Sequence, residues 1–214
     1  MIDQSYEGFY ARFDTPSKKV GSMLMGADTL VGDDLKVEFR NEDGKVVAWL
    51  LNKFDAEVGF LEADGSLKLQ LANARGQEIR ALLSYVAYSD MPDPGHYWGE
   101  AAFMCFNPAY AEEMNAFANR VGKRMAEGVR PAISLGSSAV GKIFNESDWM
   151  PEETVPFPKK ERGMAILKDH QSASEKMIEK GRAGNKGCYA VSIAFIVVVM
   201  LAVAYGIAKV FGVL

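Results

Sequence analysis

The stretch that most constrains this chain runs from Cys188 to Ala208, CYAVSIAFIVVVMLAVAYGIA, without a charge or a proline. An apolar run of about 18 or more residues is long enough to cross the hydrocarbon core as a helix. Its centre, Ile193 to Val203, is built from Ile, Val, Phe, Met, Leu and Ala. Near the bilayer centre, Ile, Leu, Phe and Val each favour insertion by roughly 0.3–0.6 kcal/mol. Tyr189 and Tyr205 fall near the ends, where amphipathic rings prefer the interface, and Lys209 follows within snorkelling reach of a headgroup. A single transmembrane helix over 188–208 is therefore expected, with the lipid bilayer as its partner.

The flanks give an orientation. Lys176, Lys180, Arg182 and Lys186 precede the run as a basic juxtamembrane set, and only Lys209 follows. The positive-inside rule then predicts a cytoplasmic N-terminal head and a C-terminus across the membrane. The opening MIDQSYEGFY has neither a basic segment nor an apolar run, so no secretory signal is expected and the topology reads as tail-anchored. Within the run, Ala202 and Gly206 form a small-xxx-small pair that permits close helix pairing, and hence a homodimer through the anchor.

Charge divides the same way. Residues 1–158 carry 15 Lys and Arg against 24 Asp and Glu, a net of −9. Residues 159–214 carry 9 against 4, a net of +5, which together give the chain's −4. An acidic head is repelled by nucleic acid and anionic lipid, whereas the basic stalk is drawn to headgroups.

Before the stalk the texture is that of a small β-rich domain. Residues 1–18 are polar with a few aromatics, and read as an N-terminal extension with a short helix ending before Pro16. Val20 to Met25 reads as a strand. Leu35, Val37 and Phe39 alternate with Lys36, Glu38 and Arg40, as on a half-buried strand. Asn41-Glu42-Asp43-Gly44 is a hairpin loop leading into the strand Lys45 to Leu51. Glu57 to Leu61 follows as a strand, with Gly59 where a bulge or close approach would suit. Residues 66–74 fit two patterns. Leu67, Leu69 and Leu71 alternate as on a strand, while Ser66 as a cap, with Leu67, Leu71 and Ala74 on one face, suits a helix. Ile79 to Tyr88 and Tyr97 to Phe106 read as strands. Asn107-Pro108 opens an amphipathic helix over 108–127, with Tyr110, Met114, Phe117, Val121 and Met125 at helical spacing and Gly128 as its stop. The expected fold class is α+β: a small, curled, mostly antiparallel sheet or barrel over 19–130, packed by that one helix. Residues 131–187 read as linker and stalk, the stalk carrying a weak helical pattern through Met164, Leu167 and Ile178.

Chemistry-bearing motifs are sparse. Gly136 to Lys142 has the GxxxxGK spacing of a phosphate loop, but Ile143 stands where magnesium binding needs Ser or Thr. Cys105 and Cys188 are in no CxxC, which argues against zinc and against a disulfide framework. No serine has a nucleophile-elbow context. Asn145-Glu146-Ser147 is a glycosylation sequon that a cytoplasmic head would leave unused. His96, Tyr97 and Trp98 form the candidate ligand rim, on the loop after Pro92 and Pro94. No catalytic, metal or cofactor residue is assigned.

Val20-Gly21, then Val31-Gly-Asp-Asp-Leu-Lys-Val37, Val58-Gly-Phe-Leu61 and Gly76-Gln-Glu-Ile-Arg-Ala81 occur in the order of a HIRAN domain's motifs. The stretch 19–106 resembles that family. The resemblance implies a modified β-barrel and, in DNA-remodelling relatives, a grip on DNA ends. The family's Asn-x-x-Asp segment is abbreviated here to Asn41-Glu42-Asp43, and no basic-aromatic DNA-end pocket can be matched residue by residue. A barrel closed by one C-terminal helix is similar to PH-like domains too, but the head lacks their basic lipid loop. The expected function is a non-enzymatic binding module held at a membrane with a protein partner. The alternatives are nucleic-acid-end binding and a membrane-tethered enzyme.

Overall fold

The structure is a computed structural model that describes residues 6–182. The expected span 188–208, with Lys186, Ala202 and Gly206, lies outside the described residues. Among the described residues, no helix is long and apolar enough to cross a membrane. The chain divides into two compact units, one ending at Gln171 and the other beginning at Ser172.

The first unit is α+β and built on a closed antiparallel barrel of six strands. These are β1 (Tyr6–Asp14), β2 (Asp34–Glu42), β3 (Lys45–Leu51), β4 (Glu57–Leu61), β5 (Glu78–Ser89) and β6 (His96–Phe106). The order is β2-β3-β4-β1-β6-β5, and pairing of Asp34 and Leu35 with Leu82 and Ala81 closes the ring. Closure removes the sheet edges that an open six-stranded sheet would leave unpaired. Asp43 and Gly44 both have positive φ at the tip between β2 and β3. That is the turn whose twist matches a hairpin's, and Gly takes such a φ without steric cost.

Strand alternation gives the barrel two surfaces. Phe13 on β1, Leu83 on β5, and Ala101, Phe103 and Cys105 on β6 point inward and join Ala48, Leu50, Val58 and Leu61 in the central core. The opposite faces of β1, β5 and β6 also carry large side chains and are covered from outside. A short 3₁₀ turn at Pro108–Tyr110 leads into α3 (Ala111–Ala126), which buries Met114, Phe117, Val121 and Met125 against Leu82, Ala102, Met104 and Phe106. Asn107 caps this entry by accepting from the Ala109 N–H at 2.9 Å. The expected closing helix is thus present.

Several expectations change. Residues 6–14 are not an extension or a helix; β1 sits between β4 and β6, in register with β6 from Tyr6↔Phe106 to Asp14↔Trp98. The fold therefore starts ahead of residue 19. The expected strand at 20–25 is instead α1 (Lys18–Met23), capped by Ser17. Residues 66–74 belong to a helix, α2 (Ala63–Ala74). Its buried positions are Ser66, Leu69 and Ala72, whereas Leu67 and Leu71 are exposed, so the buried face is not the one the leucines suggest. Ser66 is no cap: its hydroxyl accepts from Ala48 N and donates to Leu61 O, both at 3.0 Å.

The supposed linker after Pro131 is largely part of the domain. Residues 130–157 form a strap over the outer barrel face, containing α4 (Ser137–Asn145). The strap folds on itself through Ala132 N to Glu153 O at 2.9 Å and Val155 N to Arg130 O at 2.8 Å. A seventh strand, β7 (Met164–Lys168), then pairs with the far half of β5. The strap has a fixed path because tertiary bonds hold it, which its Gly, Ser and Pro content does not disclose.

Candidate functional site

His96, Tyr97 and Trp98 stand at the start of β6 rather than on a loop. His96 pairs with Ser89, Tyr97 with Tyr88 and Trp98 with Ala87. Alternation along the strand separates Tyr97 from the other two. Tyr97 meets Tyr88 edge-on at 5.1 Å, and its carbonyl accepts from Thr15 Oγ1 at 2.9 Å. Trp98 is buried, its indole N–H donating to Ser89 Oγ at 3.0 Å and its ring covered by the Arg12 guanidinium at 4.3 Å. Arg12 Nη2 also lies 3.2 Å from His96 Nε2. The three residues are engaged in packing, and they do not converge on one opening.

One step further along β6 lies a largely buried ion pair. Glu100 stands across from Arg12 on β1 and Tyr85 on β5. Arg130, with its side chain 3% exposed, reaches in from the strap and donates through Nη2 to Glu100 and through Nη1 to the Pro156 carbonyl at 2.7 Å. Its guanidinium plane is enclosed by Tyr10, Tyr85 and Phe157, with centroids at 4.5, 5.3 and 5.2 Å. Burial raises the Glu100 carboxyl above the usual carboxylate range, and Arg130 opposes that rise. The same burial pushes the Tyr10 and Tyr85 phenols upward. Tyr10 and Tyr6 donate to the carbonyls of Pro131 and Ile133 at 2.8 and 2.9 Å. The cluster is enclosed by the strap it fastens, so its chemistry is that of a clasp rather than of a reaction centre.

The strap itself forms an open groove of about 500 Å³, lined by Ser134, Leu135, Lys142, Trp149, Met150 and Glu153 among others. Trp149 stacks on Phe117 at 6.2 Å, and Lys142 Nζ lies 5.9 Å from the Trp149 ring. The GxxxxGK stretch is here: Gly136 is the residue before α4, and Ala139 and Val140 N–H groups bond to the Gly136 carbonyl at 3.0 Å. Those N–H groups belong to the helix and form no phosphate cradle.

A second groove of about 500 Å³ lies beside the β2–β5 junction, among Asp34, Lys36, Asn52, Lys53, Arg80 and Asn119. Its cations are held by carboxylates: Arg80 by Asp34 at 2.5 Å, Lys36 by Asp55 at 3.0 Å and Lys53 by Asp33 at 3.2 Å. Among the described residues, no group of three His, Cys, Asp or Glu is placed to hold a metal ion.

Arg130, Glu100, Tyr85 and Trp149 are the residues that sequence reasoning misses. The alternation of Phe9, Ala11 and Phe13 against Tyr6, Tyr10 and Arg12 is a strand signal, and would have put two tyrosines on one outer face. Nothing local marks Arg130 as their partner. No family model matches this chain, and comparisons with curated proteins and with solved structures return no match.

Proposed function

We propose that this chain is a single-pass membrane protein, anchored through 188–208, whose barrel head is a non-enzymatic binding module. The observation that carries the reading is the strap groove. It offers an aromatic face at Trp149, apolar walls at Leu135 and Met150, and charges of both signs at Lys142 and Glu153. These features suit an extended peptide, since apolar and aromatic walls supply most of the affinity and a few placed charges set the orientation. Among the described residues, no histidine or cysteine lines the groove. The HIRAN resemblance is part of this proposal, supported by the small closed barrel that includes 34–106. DNA-end binding is less favoured. Phosphate recognition needs available cations, and Arg12, Arg40 and Arg80 are paired with Asp14, Glu38, Glu57 and Asp34.

The test uses the full chain in detergent micelles on a peptide array, beside Trp149→Ala and Lys142→Glu. Peptides held by the natural protein and lost by both variants support the groove. Saturable, salt-weakened gel shifts with short DNA would overturn the reading in favour of nucleic-acid ends. Retention in membranes after alkaline extraction is the expected result for the anchor.

A further inference from the structure

The unit that begins at Ser172 opens with α5 (Ala173–Arg182). This helix has its own start signal. Ser172 N–H donates to Glu175 Oε2 at 2.8 Å, and Glu175 N–H donates back to Ser172 Oγ at 3.3 Å. That reciprocal capping box satisfies backbone donors at the helix start by local bonds alone. Two apolar side chains of α5 are left in solvent: Met177 is 74% exposed and Ile178 40% exposed.

Helical spacing of about 100° per residue places Ala173, Met177, Ile178 and Gly181 along one stripe. Positions 180 and 182, a lysine and an arginine, fall at the two margins of that stripe. Positions 175 and 179, both glutamates, fall behind it with Lys176, and Ser174 is the one polar residue within it. An apolar stripe with cations at its margins and both anions on the far face suits a helix lying at a lipid interface. Position along the chain adds a second constraint. The uncharged run starts at Cys188, so residues 183–187 and the step into 188 span at most about 20 Å when extended. Adding about 8 Å of helix keeps Met177 within about 30 Å of the start of the run.

From these observations we infer that α5 is an interfacial segment that lies on an anionic lipid surface, with Met177 and Ile178 toward the acyl chains. This rests on reading 188–208 as the anchor, because the tether holds α5 near the bilayer at high effective concentration. Basic residues Lys176, Lys180, Arg182 and Lys186 add attraction to acidic headgroups.

The test reconstitutes the full chain, carrying Cys188→Ser, into vesicles of phosphatidylcholine and phosphatidylserine. An environment-sensitive label is placed by Met177→Cys in one sample and by Glu179→Cys in another. Iodide quenching at position 177 is expected to be at least threefold weaker than at position 179. Equal quenching at both positions, in protein that resists alkaline extraction, would overturn the interfacial assignment while leaving the anchor intact. Release by alkali would overturn the anchor and the inference together.

Discussion

The ring of Phe13 rests on the backbone of Gly99, its cross-strand partner. A Cβ built on Gly99 would lie 2.5 Å from Phe13 Cζ and 2.7 Å from the Tyr85 carbonyl oxygen. Gly59, on the other neighbouring strand, is as tight: a Cβ there would meet Phe13 Cδ2 at 2.5 Å and the Asp14 carbonyl at 2.6 Å. One phenylalanine thus lies against two side-chain-free backbones. Gly99→Ala and Gly59→Ala are each expected to destabilise the protein by about 1–3 kcal/mol or more, the range for forced overpacking. Adding Phe13→Leu relieves only the ring contact, because backbone carbonyls supply the other clash. Urea unfolding of the single and double variants measures this.

Arg130 and Glu100 fasten the strap from opposite sides of a buried interface. Arg130→Ala leaves a largely buried carboxylate without its cation, and is expected to cost about 3–5 kcal/mol. Replacing both residues, as Arg130→Met with Glu100→Gln, is expected to cost less than the sum of the two single changes. A double-mutant cycle by urea unfolding gives the coupling. Additive effects would mean that the pair does not hold the strap.

Burial pushes the Cys105 thiol up to about 12 from an ordinary 9.0. The folded state therefore keeps its proton where the unfolded state has lost it. Stability is unaffected below about pH 9 and falls as pH rises through the window from 9 to 12, by about 1.4 kcal/mol per pH unit for such a group. The buried phenols of Tyr6, Tyr10 and Tyr85 shift the same way and add to the loss above their ordinary value of 10. Denaturant titrations at several alkaline pH values should show this fall, and Cys105→Ala should flatten its first part. In a Cys188→Ser background, a thiol reagent at neutral pH should label Cys105 only as fast as the protein opens.

Lys168 ends β7 with its ammonium buried among the carbonyls of Leu24, Gly26 and Thr29, at 3.1, 2.9 and 2.9 Å. Lys168→Met keeps much of the stem but leaves those carbonyls short of a donor. A loss of about 2–4 kcal/mol is expected, since hydrogen bonds to a charged group are worth about 1.5–3 kcal/mol each and do not add fully. Hydrogen exchange should quicken over 24–33 before the barrel strands respond.

Legibility followed the range of the interactions. The strands at 34–42, 45–51, 57–61, 78–89 and 96–106 and the helix after Asn107 could be read, because alternation, turn chemistry and capping act within a few residues. Gly59 was legible as a place for a bulge or a close approach, but not that Phe13 is what approaches it. For α2, the leucines at 67 and 71 outweigh Ser66 by hydrophobicity. The buried face nevertheless takes Ser66, because its hydroxyl satisfies both Ala48 N and Leu61 O. At 96–98, pairing of His96 with Ser89 extends the strand read from Tyr97 one residue into what reads as a Pro-Gly loop.

The sequence alone determined the local periods, the hairpin loop within Asn41 to Gly44, the helix capped by Asn107 and the charge division between an acidic head and a basic stalk. Each depends on neighbours a few positions apart. Only the tertiary structure decided that β1 is central, that β2 meets β5 to close the barrel, and that the strap is bound through Arg130. Those contacts join residues far apart in the chain: 30 positions for Arg130–Glu100 and, by subtraction of the paired numbers, 46 for Leu35–Ala81 and 100 for Tyr6–Phe106. No local pattern encodes a partner at that distance; it is selected by which buried charges and carbonyls must be satisfied together once the core has formed.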